Sequence, residues 1–487
     1  MPSIFAAELA APDGVCYHHR APCTHAVTRT LFALLLACAL APMRASAADY
    51  YVSAAGADSN AGTAASPWRT LARVSTATLR PGDRVLLRGG DIFSGSLLID
   101  AEDAGTSTAP VVITSYGSGV ATIAPSADAG IYAHNAAGLD ISNLAIVSRG
   151  ADSGISIYAD LPGAVTLDRI HIDNVDVSGF SENGIDIGSW NGATGYRDVR
   201  VTRSRVHGNG RTGLLIYAEE RNVHQEVYVG QVAAYSNPGV AGSTTNTGSG
   251  IVLGGVNGGT IEDSLAYDNG ANCTASEGPV GIWAYDSTAI TIQRNESYGN
   301  RSGGAADGGG FDLDQNVSNS VVQNNWSHDN AGAGFLLAHG LANDFHTGNI
   351  VRNNRSENDG RQNGSGSIEI WGRVRNAEIY GNTVTRSTSI SAGSDMRIWN
   401  AGVTDRYTSG VHVHDNIFQM DGGPFVTVTA AALAGAADLR FYSNTYQGTG
   451  SWTWGTATFS TTAAWLASGH ETAPPPAAPT GVRIIKP

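Results

Sequence analysis

A short phrase recurs along the chain: glycine, apolar, variable, apolar. It stands at Gly154-Ile155-Ser156-Ile157, Gly184-Ile185-Asp186-Ile187, Gly213-Leu214-Leu215-Ile216, Gly250-Ile251-Val252-Leu253, Gly281-Ile282-Trp283-Ala284, Gly310-Phe311-Asp312-Leu313 and Gly334-Phe335-Leu336-Leu337. Successive starts lie 30, 29, 37, 31, 29 and 24 residues apart, and weaker copies begin at Ser367 and Asp395. Between them runs a second alternating phrase that ends in Asn or Ser, at Asn174, Ser204, Asn295, Asn325, Asn354, Asn382 and Asn416. A further Asn follows several copies, at Asn209, Asn269, Asn300, Asn330 and Asn358. Period-two alternation predicts short strands with one buried face. Gly and Asn at fixed offsets predict tight turns, because both tolerate left-handed backbone angles.

Strand and turn cycling at about 30 residues without helical spacers reads as one coil of a solenoid. Stacked coils place equivalent strands about 4.8 Å apart in parallel sheets, close enough for Asn side chains to bond from coil to coil. A β-propeller needs blades of about 40 residues or more with four strands each, a spacing absent here. The fold expected is all-β, a single-domain parallel β-helix. Its coils should run from about residue 110 to 446, with Asn174, Asn295, Asn325, Asn354, Asn382 and Asn416 in one column.

Composition narrows the function classes. With 61 Gly among 487 residues and only 15% charged, the chain is too glycine-rich for a helical protein, while 42% hydrophobic residues exclude disorder. A formal charge of −14 argues against nucleic acid or an anionic membrane as partner. Lys486 is the only lysine, so the body of the chain offers no lysine base. Arg29, the apolar run Leu31 to Leu40 and the small residues Ala45-Ser46-Ala47 follow the order of a secretory signal, with cleavage expected after Ala47. Its removal discards three arginines against two carboxylates, so the mature charge is −15, and it leaves Cys273 alone without a disulfide partner. The expected location is secreted or periplasmic.

The segments Asp49-Tyr50-Tyr51-Val52-Ser53, Gly56-Ala57-Asp58-Ser59-Asn60-Ala61-Gly62-Thr63, Pro67-Trp68 and Pro81-Gly82-Asp83-Arg84-Val85 before Arg88-Gly89-Gly90 resemble the opening of secreted right-handed parallel β-helix proteins of the pectin-lyase-like superfamily. The resemblance covers residues 49 to about 468. It implies a signal peptide over 1–47, an opening segment and N-terminal cap over 48–110, the β-helix over 111–470 and a Pro-rich tail over 471–487. Thr70 to Leu79 would form the capping helix, and Thr461 to Ser468 would plug or flank the far end. Such proteins include polysaccharide lyases, glycoside hydrolases, epimerases and noncatalytic binders, so the resemblance speaks for fold more than activity.

Candidate chemistry lies on the Gly-initiated strands. Their apolar positions point inward, so the positions between and after them should point outward and align along the axis. They carry Tyr158, Asp186, Tyr217, Trp283, Tyr285, Asp312, Asp314, Glu369, Trp371, Arg397 and Trp399, with His339 and Arg373 on adjoining turns. Aromatic platforms at coil spacing suit the faces of sugar rings, making Tyr158, Asp186, Tyr217, Trp283, Tyr285, His339, Trp371, Arg373, Arg397 and Trp399 candidate substrate-binding residues. The alternative is that loops fold over this sheet and the aromatics pack beneath them as a satellite core. Asp312 and Asp314 should share one face about 7 Å apart, with Glu369 two coils on, about 9 to 10 Å away. That spacing suits an acid and a base on either side of a glycosidic bond, as in an inverting hydrolase.

The expected function is therefore cleavage of a polysaccharide, with Asp312, Asp314 and Glu369 catalytic. The alternatives are a calcium-dependent lyase, with Arg373 or Arg397 as base and the aspartates as metal ligands, and a noncatalytic glycan binder. No cofactor is certain, calcium is possible, and the metal ligands are open. Asp58-Ser59-Asn60 reads as a turn, His412 and His414 lack a third zinc partner, and Cys273 reads as a small loop side chain.

Overall fold

The structure is a computed structural model and describes residues 47–472, apart from 305, 388–392, 402 and 404. The expected signal peptide, 1–47, lies outside the described residues except for Ala47, and the expected tail, 471–487, does so except for the strand Glu471–Thr472. What is described is a parallel β-solenoid of about 13 turns. Strands stack in three files. The first sheet runs from Asp49–Val52 through Arg84–Arg88, Val111–Tyr116 and Leu139–Val147 to Glu471–Thr472. A second begins with Ile92–Ser94 and a third with Leu97–Ile99; these two end together in the long strand Thr445–Gly455. All strand pairings are parallel except that of Thr445–Gly455 with Ala457–Phe459.

Register follows from the apolar alternation. Val85, Ile113, Ile141, Ile172, Val201, Val229, Ile261, Ile292, Val322, Val351, Ile379, Val413 and Phe441 pair in succession along the first sheet, and all are buried. A slip of one residue would turn such a file to solvent, at about 1.5–3 kcal/mol per side chain. At the N-terminal end the helix Leu71–Ser75, capped by Thr70, buries Leu71 and Val74. At the other end Trp465, on the helix Thr462–Ala467, stacks 6.1 Å from Trp452.

Two buried Asn ladders tie the coils. In the first, both the backbone N–H and Nδ2 of Asn295 donate to Asn325 Oδ1; the pattern repeats to Asn354, Asn382, Asn416 and Asn444, and ends on Glu471. Asn174 is a correction. Pairing of Asp173 with Thr202 and Asp176 with Arg205 places Asn174 beside Arg203, one residue short of the ladder, where it is exposed at φ 51°. That position closes the turn and is otherwise held by Asp263, Arg294, Asn324 and Asn353 at similar angles. The second ladder joins Asn209, Asn237, Asn269, Asn300 and Asn330 to Asp359, not to Asn358, which stands at φ 52° one residue earlier.

Candidate active site

The third sheet carries the Gly-initiated strands, and its outer face presents two files. Ser156, Asp186, Leu215, Val252, Trp283, Asp312, Leu336, Glu369 and Arg397 align in the first. Two positions on stand Tyr158, Gly188, Tyr217, Gly254, Tyr285, Ala338, Trp371 and Trp399. Rings lie flat over the glycines: a Cβ on Gly188 would meet Tyr217 Cζ at 2.0 Å, and one on Gly254 would meet Tyr285 Cζ at 2.2 Å.

Outward does not mean exposed in the first file. Asp312 and Glu369 are each 4% exposed, Asp186 is 5% and Trp283 is 7%. Trp283 packs with Val252 and Val280 in a separate small apolar cluster, with Leu215 and Tyr285 against it, and its Nε1–H donates to Ser249 Oγ at 3.0 Å. A satellite core thus covers part of the face expected to be open. The second file stays accessible: Tyr158, Tyr217, Tyr285, Trp371 and Trp399 are half-buried.

His339 is also a correction. It is fully buried, its Nδ1 accepts the Asn316 N–H at 3.3 Å, and its Nε2 lies 3.1 Å from Asn343 O, so it shapes a corner and cannot meet a substrate. Arg373 is held by Asp344 at 2.8 Å. Arg397 stacks 4.2 Å over the Trp399 ring and pairs with Glu369 at 3.5 Å. Glu369 also accepts from the Gly366 N–H at 2.6 Å and from Trp399 Nε1. Asp186 accepts from Ser156 Oγ at 2.7 Å.

Carboxylates gather where the strand Gly309–Leu313 ends. Asp314 lies just beyond that strand and is half-buried; its N–H donates to Ala284 O. Burial, then the charges of Asp314, Asp307 and Glu369, hold Asp312 well above the usual carboxylate range, and its buried Oδ1 has no hydrogen-bond partner. Burial and the charge of Asp307 push Asp314 up to about 8. Sequence reasoning missed Asp307, which lies in the loop before the strand. It is half-buried, sits at φ 48°, and its Oδ2 accepts the Gly278 N–H at 2.9 Å. Burial raises it, and that hydrogen bond offsets part of the rise. The Asp307-Gly308-Gly309-Gly310 run was its only trace in the sequence. Glu277 and Asp286 complete the group, each raised first by burial.

Among the described residues no group of three or more His, Cys, Asp or Glu is placed to hold a metal ion. A shallow hollow of about 520 Å³ at the corner of the first and second sheets, lined by Asn324, Trp326, Asn353, Arg355 and Thr383, contains no acid. No helix among the described residues is long and apolar enough to cross a membrane. Asp58 braces the residues leading into the helix Leu71–Ser75, accepting from the N–H groups of Arg69 and Thr70.

The raised carboxylates set the pH dependence of folding. Asp186 is raised to about 6, Glu369 to about 7 and Asp314 to about 8, in each case chiefly by burial, against unfolded values near 4. The folded chain therefore holds more protons than the unfolded one across this interval. The stabilising contribution is complete below pH about 4 and is lost as pH rises through the folded values. Thermal unfolding should occur at a lower temperature at pH 8.5 than at pH 5.5; the reverse order would show these groups to be ionised in the fold.

A family model described as the right-handed β-helix region matches residues 187–384. Over 76 residues the chain is 43% identical to a lacto-N-biosidase of Bifidobacterium longum subsp. longum, a stretch that makes up 15% of this chain and 5% of that enzyme. Among solved structures, a GH136 lacto-N-biosidase from Eubacterium ramulus superposes with a TM-score of 0.57 at 18% identity, covering 77% of this chain and 68% of that one. The A-module of a mannuronan C-5 epimerase from Azotobacter vinelandii superposes with a TM-score of 0.51 at 18% identity, covering 76% and 90%. Strand files, family model and superpositions agree on the fold: this chain is a right-handed parallel β-helix.

Proposed function

We propose that the chain is a glycoside hydrolase that binds a glycan along the half-buried aromatic file of the third sheet. The observation that carries this reading is a half-buried carboxyl kept protonated at neutral pH, Asp314, within the electrostatic reach of a second half-buried carboxyl, Asp307. Two carboxyls whose charges bear on each other do not readily ionise together, so one keeps a proton while the other acts as base. Asp314 donates a proton to the departing glycosidic oxygen. Asp307, whose Oδ2 accepts the Gly278 N–H, is the partner that activates water or attacks the anomeric carbon. Asp312 and Glu369 are enclosed and shape the cleft from beneath, without touching the sugar. Tyr217, Tyr285, Trp371 and Trp399 supply ring faces and edges to the glycan. The short identity to a lacto-N-biosidase and the superposition on a second one support a carbohydrate-active role.

A lyase acting on a uronate would need a cation free to meet the substrate carboxylate. Here Arg373 is occupied by Asp344 and Arg397 by Glu369 and Trp399. The site is rich in acids, which favours a neutral glycan. Export by the segment 1–47 belongs to the same reading, and sequencing the N-terminus of protein from the culture medium checks it. Function is tested by incubating the protein with a panel of neutral and acidic glycans, with and without a chelator. New reducing ends without near-ultraviolet absorbance, unchanged by chelator, are expected. Unsaturated products abolished by chelator would establish the lyase, and binding without cleavage would establish the noncatalytic reading.

A further inference from the structure

Arg221 makes a connection unlike the ladders. Coil-to-coil hydrogen bonds such as that of Asn316 Nδ2 to Asp286 Oδ1, 2.6 Å, join residues 30 positions apart. Arg221 follows the strand Thr212–Ala218, and its Nη2 donates to Asn316 O at 2.6 Å, across 95 positions. Its Nε lies 3.9 Å from Asp286 Oδ1, and its guanidinium sits 4.3 Å over the ring of Phe345. One side chain thus touches the corners of three later coils. Phe345 stays 49% exposed with the guanidinium stacked on it, and burial of the guanidinium in this place lowers its pKa.

The middle of those corners carries Asp314. From the preceding coil, Asp314 N–H donates to Ala284 O and Asp286 N–H to Gln315 O. On the following coil, Gly340 N–H donates to Gln315 Oε1 at 3.0 Å, and Asn316 N–H donates to His339 Nδ1. Asn316 stands at φ 59°, Asp286 at φ 48°. Asn and Asp tolerate such angles, which recur at the turns of this solenoid. What sets these two corners apart is that Arg221 ties them together, by a hydrogen bond to the Asn316 carbonyl and an ion pair at 3.9 Å with the Asp286 carboxylate.

We propose that Arg221 is a positioning residue, a strap that fixes the 314–316 corner and with it the place of the Asp314 carboxyl relative to Asp307. The catalytic half of this inference rests on the proposed hydrolase reading; the mechanical half does not. Displacement of a reacting group by about 1 Å can cost about a hundredfold in rate, so loosening should appear in kcat more than in KM, because the Trp371 and Trp399 platforms lie on later coils.

The test uses the full chain and its Arg221→Ala, Arg221→Lys and Phe345→Ala variants, with two readouts. Hydrogen exchange should rise at least tenfold for amides 314–317 in Arg221→Ala, leave amides 372–376 unchanged, and rise less in the other two. On a glycan that the wild type cleaves, kcat of Arg221→Ala should fall about tenfold or more with KM within twofold. Arg221→Lys, which keeps a donor for the Asn316 carbonyl, should lie between. Guanidinium ion at tens of millimolar, against a matched salt control, should restore part of the loss. Unchanged exchange at 314–317 overturns the strap, as does exchange raised throughout the solenoid, which marks a general folding role. A loosened corner with unchanged kcat overturns the positioning of Asp314. If the wild type cleaves nothing, the hydrolase reading fails, and exchange alone still decides whether Arg221 holds the corner.

Discussion

Asp314→Asn should lower kcat by about 10² to 10⁴-fold, the span that proton transfer contributes, and Asp307→Asn should do the same. Asp314 is pushed up to about 8 by burial and by Asp307, so it remains an acid at neutral pH, and the wild-type rate should fall on the alkaline side as that proton is lost. The two neighbours should behave differently. Asp312 is enclosed, and Asp314 is the first of the charges that raise it, whereas Asp314 answers to burial and Asp307. Asp312→Asn should therefore leave much of the plateau rate and the position of the alkaline limb unchanged. Glu369 is occupied by Gly366, Arg397 and Trp399, so Glu369→Gln should disturb the Trp399 ring and raise KM more than it lowers kcat. Rate profiles of the four amide variants on one substrate decide between assignments. Loss of activity in the Asp312 and Glu369 variants, with Asp314→Asn active, would return catalysis to the pair favoured by strand spacing alone.

The coils were legible because each repeats a local rule. Apolar alternation set the inward files, and Asn after an alternating run marked the ladder, so Asn295 through Asn416 could be placed without coordinates. The reading failed where an Asn falls one residue early. Asn174 and Asn358 satisfy the pattern by type, but both take the left-handed turn position, and the ladder positions beside them are held by Val175 and Asp359.

The site was half legible for a different reason. Strand alternation determines which way a side chain points, and it correctly turned Asp312, Glu369 and Trp283 outward. What covers them depends on neighbours that strand alternation does not reveal. Val280, on the same strand, and Ser249, on the strand paired before it, screen Trp283, and Asp307 enters from the loop before the strand Gly309–Leu313. His339 was misjudged because a turn residue after a strand can fold back into the corner and bond backbone groups, as it does with Asn316 and Asn343.

Asn325→Leu should be among the most destabilising single changes away from the site. The Asn325 side chain accepts from the Asn295 N–H at 2.9 Å and from Asn295 Nδ2 at 3.1 Å, and donates to Ile292 O at 2.9 Å and to Asn354 Oδ1 at 3.1 Å. Leucine is similar in size, so the change removes the bonds without emptying the space. The Asn295 N–H and the Ile292 carbonyl remain buried and unpaired, at about 1–3 kcal/mol each, for a total of about 2–6 kcal/mol. Its neighbour Asn324 is the control. Asn324 is exposed at φ 56°, and Gly381 holds the corresponding turn position of a later coil at φ 65°, so Asn324→Gly should leave stability within about 1 kcal/mol. Denaturant unfolding of the two variants measures the difference. In a solenoid each coil is braced only by its neighbours, so the loss should appear first as local exchange in the coils around 295, 325 and 354. Equal stability of the two variants would show that the ladder is not what holds the coils in register.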